Sequence, residues 1–283
     1  MKNIAVLLTC HNRKSKTLKC LNNLYRARLP KTVKIDTYLV DDGSSDGTDQ
    51  AVSNNFPCVN IIKGSGSLFW NQGMRLAWNT ATNNESYDFY LWLNDDTYID
   101  EGAIIHLFNC FKKYTEINDL EPIVVGACRR KRGINEFSYG LRKGVIKLIP
   151  NGTIQEGNLL NGNLVLVSKS VFSALGGLSN NYTHAMGDHD YGMRAIEKGI
   201  KLITTKSYVA TCALNKLIPK WCNPDVSLYI RWAALHSPLG LNIKEYKAFR
   251  KRFWPKNYFV SILKIYFRCF FPSIYNKIKK NGR

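Results

Sequence analysis

The sequence predicts an α/β protein built on a single mixed, mostly parallel sheet flanked by helices. Two observations lead to this expectation. In the first hundred residues, short apolar segments alternate with segments of helical period, which is the order of repeated β-α units. The first apolar run, residues 4–9, is continuous rather than alternating, as expected for a strand that is buried on both faces of a parallel sheet.

The individual elements follow in chain order. Apolar runs predict four leading strands at residues 4–9, 35–40, 59–62 and 89–93. Helical periodicity predicts the helices that connect these strands at residues 14–28, 49–56 and 73–82. The later elements are expected to be helices at 102–114, 170–175 and 188–198 and strands at 123–127, 163–167 and 202–205. Residues 129–144 hold six basic residues and three glycines, which indicates a loop.

The composition bounds the class of protein. The chain has 283 residues with an apolar fraction of 45%, which is enough for a sizeable core. No apolar run reaches the length of an ordinary transmembrane helix, and the polar residues 9–13 cut short the only candidate signal segment. The eight cysteines form no CxxC pair, which argues against a zinc site. We therefore expect a cytoplasmic protein with reduced thiols.

The net charge of +19 is unevenly distributed. Residues 221–283 carry 13 Lys/Arg and 2 Asp/Glu, together with 14 of the 34 aromatic residues. Such a region suits either nucleic acid or an anionic membrane surface. No helix-turn-helix, RRM or zinc module accompanies the charge, which argues against nucleic acid. Residues 258–275 fit an amphipathic helix in the membrane plane, or alternatively a packed extension with a solvated basic face.

Two adjacent carboxylates, Asp95 and Asp96, follow the predicted strand at residues 89–93. Charges beside a buried strand are costly without a partner, and no Lys or Arg lies between Asp88 and Glu101. A divalent cation is a natural partner, because Mg²⁺ is typically held by one or two carboxylates plus substrate phosphates. The other interpretation is an Asp-rich turn that caps the next helix.

Polar turns also follow the first two strands, at residues 9–13 and 41–48. In open α/β sheets ligands bind beyond the carboxyl ends of the strands, where an aspartate can accept hydrogen bonds from a base or a ribose hydroxyl. No GxGxxG or GxxxxGK[ST] loop follows a strand, which excludes Rossmann dinucleotide and P-loop sites.

From residue 4 to about residue 212 the ordered motifs resemble those of the family-2 glycosyltransferases, inverting enzymes of the GT-A fold. Residues 40–48 look like the nucleotide-binding turn of that family, and residues 93–96 look like its DxD-type metal and diphosphate motif. Residues 187–194 are similar to its catalytic segment, although Gly187 stands where the family commonly has Glu. The likeness is closest to bacterial members that build rhamnose-containing and other surface polysaccharides.

The resemblance implies roles for particular residues. Asp188 would be the catalytic base, with Asp190 as the alternative. Asp96 would ligate Mg²⁺ or Mn²⁺. No histidine is assigned to the metal, although Cys212 lies near the place where some enzymes of this fold have one. The implied nucleotide-binding residues are Thr9, Asn12, Arg13, Asp41, Asp42, Ser44, Gly66, Asn71 and Asp95.

The resemblance also implies a reaction and its partners. A sugar would pass from a UDP- or dTDP-linked donor to a hydroxyl of a glycan or polyprenyl-linked glycan. The enzyme would then work as a peripheral protein at the inner face of the cell membrane, on an anionic surface, without nucleic acid. Residues 1–220 would form the catalytic domain and residues 221–283 a helical basic and aromatic extension. The sequence leaves the oligomeric state open.

Two rival functions remain at this stage. One is a nucleotidyltransferase of related fold, which usually needs a glycine-rich loop after the first strand; residues 10–13 lack those glycines. The other is a basic protein that binds nucleic acid or membrane without catalysis. Release of pyrophosphate would indicate the first, and salt-dependent DNA binding without turnover of a nucleotide sugar would indicate the second.

Overall fold

The computed structural model describes residues 1–215 and 217–281, with side chains up to residue 278. In chain order its strands are β1 (Lys2–Cys10), β2 (Val33–Asp41), β3 (Val59–Lys63), β4 (Phe89–Leu93), β5 (Tyr98–Ile99), β6 (Ile123–Lys131), β7 (Ile134–Phe137), β8 (Arg142–Lys143), β9 (Ile146–Lys147), β10 (Glu156–Gly157), β11 (Leu164–Ser168) and β12 (Leu202–Thr211). The α-helices are α1 (Lys14–Arg26), α2 (Thr48–Asn55), α3 (Phe69–Asn84), α4 (Ala103–Asn118), α5 (Lys169–Leu175), α6 (Gly187–Glu197), α7 (Leu228–His236), α8 (Ile243–Phe253), α9 (Tyr258–Phe270) and α10 (Pro272–Asn281).

Most strands join one large sheet in the order β10-β12-β6-β11-β4-β1-β2-β3. The neighbours β3, β2, β1 and β4 are all parallel, and so are β6 and β12. Strand β11 runs antiparallel to both of its neighbours, β4 and β6. The predicted mixed, mostly parallel sheet is thus confirmed. Its parallel strands end at one common edge, where the polar turns of the sequence follow them.

The strand β1 explains why its sequence is continuously apolar. Successive strand residues point to opposite faces. Ile4, Val6 and Leu8 share a hydrophobic cluster with the buried residues of α1 and α4, whereas Ala5 and Leu7 share another with those of α3 and α6. All five side chains are fully buried. Helices therefore cover both faces of the sheet, and neither face needs polar residues.

One segment differs from its sequence-based prediction. Residues 129–144 were expected to form a loop, but β6 extends to Lys131 and forms a hairpin with β7. Two of the six positive charges are paired there: Arg130 pairs with Glu136 across the hairpin, and Arg129 binds both carboxylate oxygens of Asp100 at 2.6 and 2.8 Å. The loop prediction was wrong because it counted basic residues without knowing their partners.

The chain divides into two compact units, Met1–Asn180 with Gly187–Leu214, and Asn181–Met186 with Asn215–Arg283. The second unit has its own core, which includes Trp221, Leu235 and Ile262. The expected domains, residues 1–220 and 221–283, stay a prediction, and residues 282 and 283 lie outside the described residues. Every helix within 1–215 and 217–281 is too short or too polar to cross a bilayer.

Candidate active site

Most of the predicted site residues lie near the edge where the parallel strands end. The last residues of β1 and β2 and the segments that follow β1, β2 and β4 carry eight of the twelve, and the strand pairing holds these three strands side by side. The first turn of α6 supplies the acids from the later part of the chain.

The carboxylate of Asp42 organises the loop between β3 and α3. It accepts hydrogen bonds from the backbone N–H groups of Gly66, Leu68 and Phe69 at 2.8, 2.9 and 2.9 Å. These groups include unpaired donors of the first turn of α3, which otherwise lack intrahelical partners. This explains why α3 begins at Phe69, four residues before the predicted start. Gly66 has φ of +87°, a conformation that favours glycine. Its Cα lies so close to Gly43 that a side chain on Gly43 would clash with it.

Asn12 ties the turn after β1 to the turn after β2. Its backbone N–H donates to Ser44 Oγ at 2.9 Å, and its Oδ1 accepts from Ser45 N at 2.7 Å. Asp41, which is almost fully buried, accepts from Ser44 N at 3.1 Å. The structure thus brings Asn12, Asp41, Asp42, Ser44 and Gly66 together, and their contacts with a nucleotide stay a prediction.

Arg13 supplies a positive charge to the paired carboxylates. Its Nη1 donates to Asp95 Oδ1 at 2.8 Å and to Asp96 Oδ2 at 3.0 Å. No Lys or Arg lies between Asp88 and Glu101, and the local sequence does not reveal Arg13 as a partner because it is distant in the chain. The negative charges of Asp95 and Asp96 are therefore partly compensated without a divalent cation. Arg13 thus contacts the pair Asp95–Asp96.

Asp95 and Asp96 differ in their surroundings. Burial raises the pKa of Asp95 to about 6, the neighbouring charge of Asp96 adds to the rise, and the guanidinium of Arg13 opposes it. Asp95 Oδ2 is buried and has no hydrogen-bond partner in the described part of the chain. The side chain of Asp96 is 26% exposed. Asp96 is thus accessible to a ligand, whereas Asp95 presents one unsatisfied oxygen inside the protein.

The donor set can be tested against a divalent cation. Within the residues that the structure describes, no cluster of three or more His, Cys, Asp and Glu side chains could hold a metal by itself. Two carboxylates, one with an unsatisfied oxygen, fit a hard cation that takes its remaining ligands from phosphates and water. The thiol of Cys212 donates to Asp96 Oδ1 at 3.7 Å, and burial raises its pKa to about 12.

A chain of hydrogen bonds connects this pair to the acid of α6. Trp70 Nε1 donates to Asn94 Oδ1 at 2.7 Å, and the backbone N–H of Asn94 donates to Asn163 O at 3.0 Å. The adjacent Gly162 N–H donates to Asp188 Oδ2 at 3.0 Å. Asp188 is therefore connected, through residues 162–163, to the segment that carries Asp95 and Asp96. Sequence reasoning assigned no role to Asn94 or to Gly162.

Asp188 is held in a defined orientation. In addition to the Gly162 bond, its Oδ1 accepts from the backbone N–H of His189 at 2.8 Å. Its side chain is only partly buried. It lies in the first turn of α6. These features suit a carboxylate that must accept a proton from a bound substrate.

Asp190, the alternative candidate, occupies a different environment. Its side chain is fully buried and pairs with Arg194 Nε at 2.7 Å. The same guanidinium donates to the carbonyl oxygens of Leu175 and Gly177 at 2.8 and 2.9 Å. This buried carboxylate holds α6 to the loop after α5, whereas Asp188 is partly exposed. The choice of base between Asp188 and Asp190 stays a prediction.

We expect the variant Asp190→Asn to lose about 3 kcal/mol of unfolding free energy, because it leaves the Arg194 guanidinium without its charge partner. Urea unfolding measures this change. The matched control Asp188→Asn, which removes a partly exposed carboxylate, should change stability by less than about 1 kcal/mol. Unchanged stability combined with lost turnover in Asp190→Asn would instead place Asp190 in the chemistry.

Asn71 packs against the start of α6, at Gly187. It is fully buried and its Nδ2 donates to Ser179 O at 2.9 Å. A Cβ on Gly187 would come within 1.8 Å of Asn71 Oδ1, so only glycine fits at the start of α6. This explains the absence of Glu at position 187. The predicted contact of Asn71 with a nucleotide stays a prediction. Thr9 is partly buried and packs closely on the backbone of Gly73.

The sequence of this chain is similar to known polysaccharide enzymes. The sequence model of glycosyl transferase family 2 matches residues 5–171. A poly-beta-1,6-N-acetyl-D-glucosamine synthase of Staphylococcus epidermidis is 24% identical over 185 residues, which cover 62% of this chain and 42% of that protein. The same enzyme of Staphylococcus aureus is 26% identical over 117 residues, which cover 40% of this chain and 26% of that protein. The chain thus spans less than half the length of these relatives.

Solved structures share the fold. The mannosyltransferase PcManGT from Pyrobaculum calidifontis, in complex with GDP-Man and Mn²⁺, has a TM-score of 0.55 at 19% identity and covers 88% of this chain and 64% of its own. Staphylococcus aureus TarS 1-349 in complex with UDP-GlcNAc has a TM-score of 0.55 at 14% identity, with coverages of 95% and 81%. These likenesses confirm the predicted GT-A fold.

The family resemblance inferred from the ordered motifs is confirmed as well. The matched range holds the turn with Asp42, the pair Asp95–Asp96 and the loop that binds Asp188. It covers more than half of the 283 residues. The chain therefore belongs to glycosyl transferase family 2.

Proposed function

We propose that this protein is an inverting glycosyltransferase that moves a sugar from a UDP- or dTDP-linked donor to a hydroxyl of a glycan or polyprenyl-linked glycan. The observation that carries the proposal is the connection from Asp42 and its loop to Asp188, which runs through hydrogen bonds of Trp70 and Asn94 and through the backbone of residues 162–163. It supports one continuous site with a nucleotide end and an acid end. Membership of the family supports the class of reaction.

Asp188 would act as the general base. Its two backbone hydrogen bonds orient the carboxylate, and its partial exposure leaves it open to an acceptor hydroxyl. As the acceptor oxygen bonds to the anomeric carbon, the proton passes to Asp188 and the bond to the diphosphate breaks. Attack from the face opposite the leaving group inverts the anomeric centre. A positioned base of this kind contributes on the order of 10²–10⁴ in rate.

Asp96 would hold Mg²⁺ or Mn²⁺, with Asp95 in support through its unsatisfied Oδ2. A divalent cation in such a site stabilises the negative charge that develops on a departing diphosphate. Arg13, already hydrogen-bonded to both carboxylates, is suited to donate to the same phosphate oxygens. The structural relative with GDP-Man and Mn²⁺ supports both a divalent cation and a nucleotide sugar.

The acceptor would be a glycan intermediate in the synthesis of a surface polysaccharide. This part of the proposal draws on the relatives, which include a poly-beta-1,6-N-acetyl-D-glucosamine synthase. A basic and aromatic C-terminal segment supports work at the inner face of the cell membrane, beside a lipid-linked acceptor. None of these features calls for nucleic acid.

A donor screen tests the proposal. We expect one UDP- or dTDP-sugar, at a hundredfold its Kd with Mn²⁺, to stabilise the protein by about 2.7 kcal/mol, because a ligand that binds only the folded state shifts its unfolding equilibrium. Thermal unfolding with UDP-, dTDP- and GDP-sugars, with and without EDTA, measures the effect. Inverted product formation with a glycan acceptor then identifies the reaction.

Several outcomes would contradict the proposal. Stabilisation by a GDP-sugar alone would overturn the choice of nucleotide. Release of pyrophosphate from a nucleoside triphosphate and a sugar phosphate would indicate a nucleotidyltransferase. A matched nucleoside monophosphate should give a much smaller shift, since it lacks the second phosphate for the cation; an equal shift would argue against the metal site.

A further inference from the structure

Helix α9 in the second unit has two apolar faces. One faces the core of that unit, where Ile262 and Cys269 are buried in the cluster that contains Trp221 and Leu235. A helix of a small folded unit normally needs only one such face, and its other side is expected to be polar.

The second apolar face of α9 is exposed. Its residues fall within about 100° of helix circumference at 3.6 residues per turn, and so form one continuous stripe. Phe259 and Leu263 are 78% and 68% exposed, which are large values for such side chains. The stripe, named here the α9 stripe, consists of Phe259, Val260, Leu263, Phe267 and Phe270.

Neighbouring helices extend the α9 stripe. The ring of Trp232 in α7 lies 5.7 Å from that of Phe270, and Trp232 is itself 42% exposed. The ring of Phe271 lies 5.6 Å from that of Phe267, and α10 continues with exposed Ile274. The apolar surface is therefore a patch built from three helices of one unit, larger than the scattered exposed side chains that are normal on a protein.

Exposed lysines accompany this patch along the chain. Lys264 is exposed on the flank of the α9 stripe, Lys256 precedes the helix and Lys277 follows it. Glu245 is the only acid in residues 243–281, which hold eleven Lys and Arg residues. Its carboxylate is already engaged, since it accepts from the backbone N–H and the hydroxyl of Thr183 at 3.0 and 2.6 Å.

We propose that the α9 stripe is seated in the headgroup region of an anionic lipid bilayer, with its flanking lysines on the lipid phosphates. Apolar and aromatic side chains on one face and lysines along its border are the pattern of helices that lie in the membrane plane. Trp232 adds an aromatic ring of the kind that prefers the membrane interface. A second copy of the chain is a poorer occupant, because it would bring an equally basic border against this one.

The α9 stripe would be the surface through which the protein meets a lipid-linked acceptor, and this role rests on the proposed function. Binding to vesicles needs neither donor nor acceptor. Failure of membrane binding and failure of sugar transfer can therefore be told apart in the same preparation, by vesicle sedimentation in one case and donor-induced stabilisation in the other.

The full chain is mixed with sucrose-loaded vesicles of phosphatidylcholine, alone or with about one third phosphatidylglycerol. We expect binding to the anionic vesicles that weakens with salt. The variant F259S/L263S should lower the partition coefficient roughly tenfold or more, because two large side chains no longer leave water. Lys264→Glu should lower binding to anionic vesicles and leave the weak binding to neutral vesicles unchanged.

The matched control is I117S/L120S in the first unit, where both side chains are also exposed, at 69% and 50%. It should bind vesicles as the wild type does. All variants are checked by circular dichroism and thermal unfolding, and Phe259 and Leu263 are exposed enough that their replacement leaves the core intact. Equal partition of F259S/L263S and wild type overturns the proposal. The proposal is also overturned if the wild type forms a dimer in light scattering and does not bind vesicles, while F259S/L263S is a monomer.

Discussion

The variant Asp188→Asn is expected to lower the rate of sugar transfer on the order of 10²–10⁴-fold while donor affinity changes by no more than about twofold. An amide cannot take the acceptor proton. Asn has nearly the volume of Asp, and its one oxygen can accept one of the two hydrogen bonds that Gly162 and His189 donate to separate oxygens of Asp188, so the site should keep most of its geometry. The loss should therefore appear in kcat rather than in the donor Kd.

Single-turnover kinetics with a glycan acceptor, together with calorimetric donor titration, separates the two quantities. Asp119→Asn is a suitable control: Asp119 is exposed at the end of α4 with φ of 52°, a conformation that Asn also adopts readily. It should behave as wild type. If Asp188→Asn transfers sugar at the wild-type rate, or if donor affinity falls as far as kcat, the assignment of the base is wrong.

The second large effect is expected for Asp96→Ala, which should weaken Mn²⁺-dependent donor binding at least about 10²-fold, since it removes the accessible carboxylate of the proposed cation site. The fold should remain intact. The Asp96 side chain is 26% exposed, and Arg13 keeps Asp95 as its partner, so no buried charge is left uncompensated.

Donor titrations at several Mn²⁺ concentrations measure this loss, and thermal unfolding without ligand checks the fold. Cys212→Ser is the comparison variant, because a hydroxyl at that position can still donate to Asp96 Oδ1. It should retain most of the affinity. Unchanged turnover of Asp96→Ala, or a metal-independent loss of donor binding, would argue against a cation at this carboxylate.

The fold class could be predicted because β1 and β4 are buried on both faces, which leaves an unmistakable pattern of continuous apolar runs. The carboxyl ends of parallel strands share one edge, so the turn with Asp42 and the pair Asp95–Asp96 could also be expected near each other. Both expectations depend only on local sequence and on the common geometry of parallel sheets.

Other features depend on partners that are remote in the chain. Arg13 and Asp95 are 82 residues apart, and no local pattern indicates that they pair. Asp188 and Asp190 both lie in the first turn of α6, and periodicity alone cannot tell which one faces the site. The Arg194 pair and the bond from Gly162 distinguish them only once the helix is packed.

The contact between Asn71 and the start of α6 restricts how this site can change during evolution. With Asn71 in place, a glutamate at position 187 is sterically excluded, since even its first side-chain carbon would overlap the amide oxygen. We therefore expect a side chain at position 187 to be tolerated better when position 71 holds a smaller residue. The two positions should show strong non-additivity in a double-mutant cycle, although 116 residues separate them in the sequence.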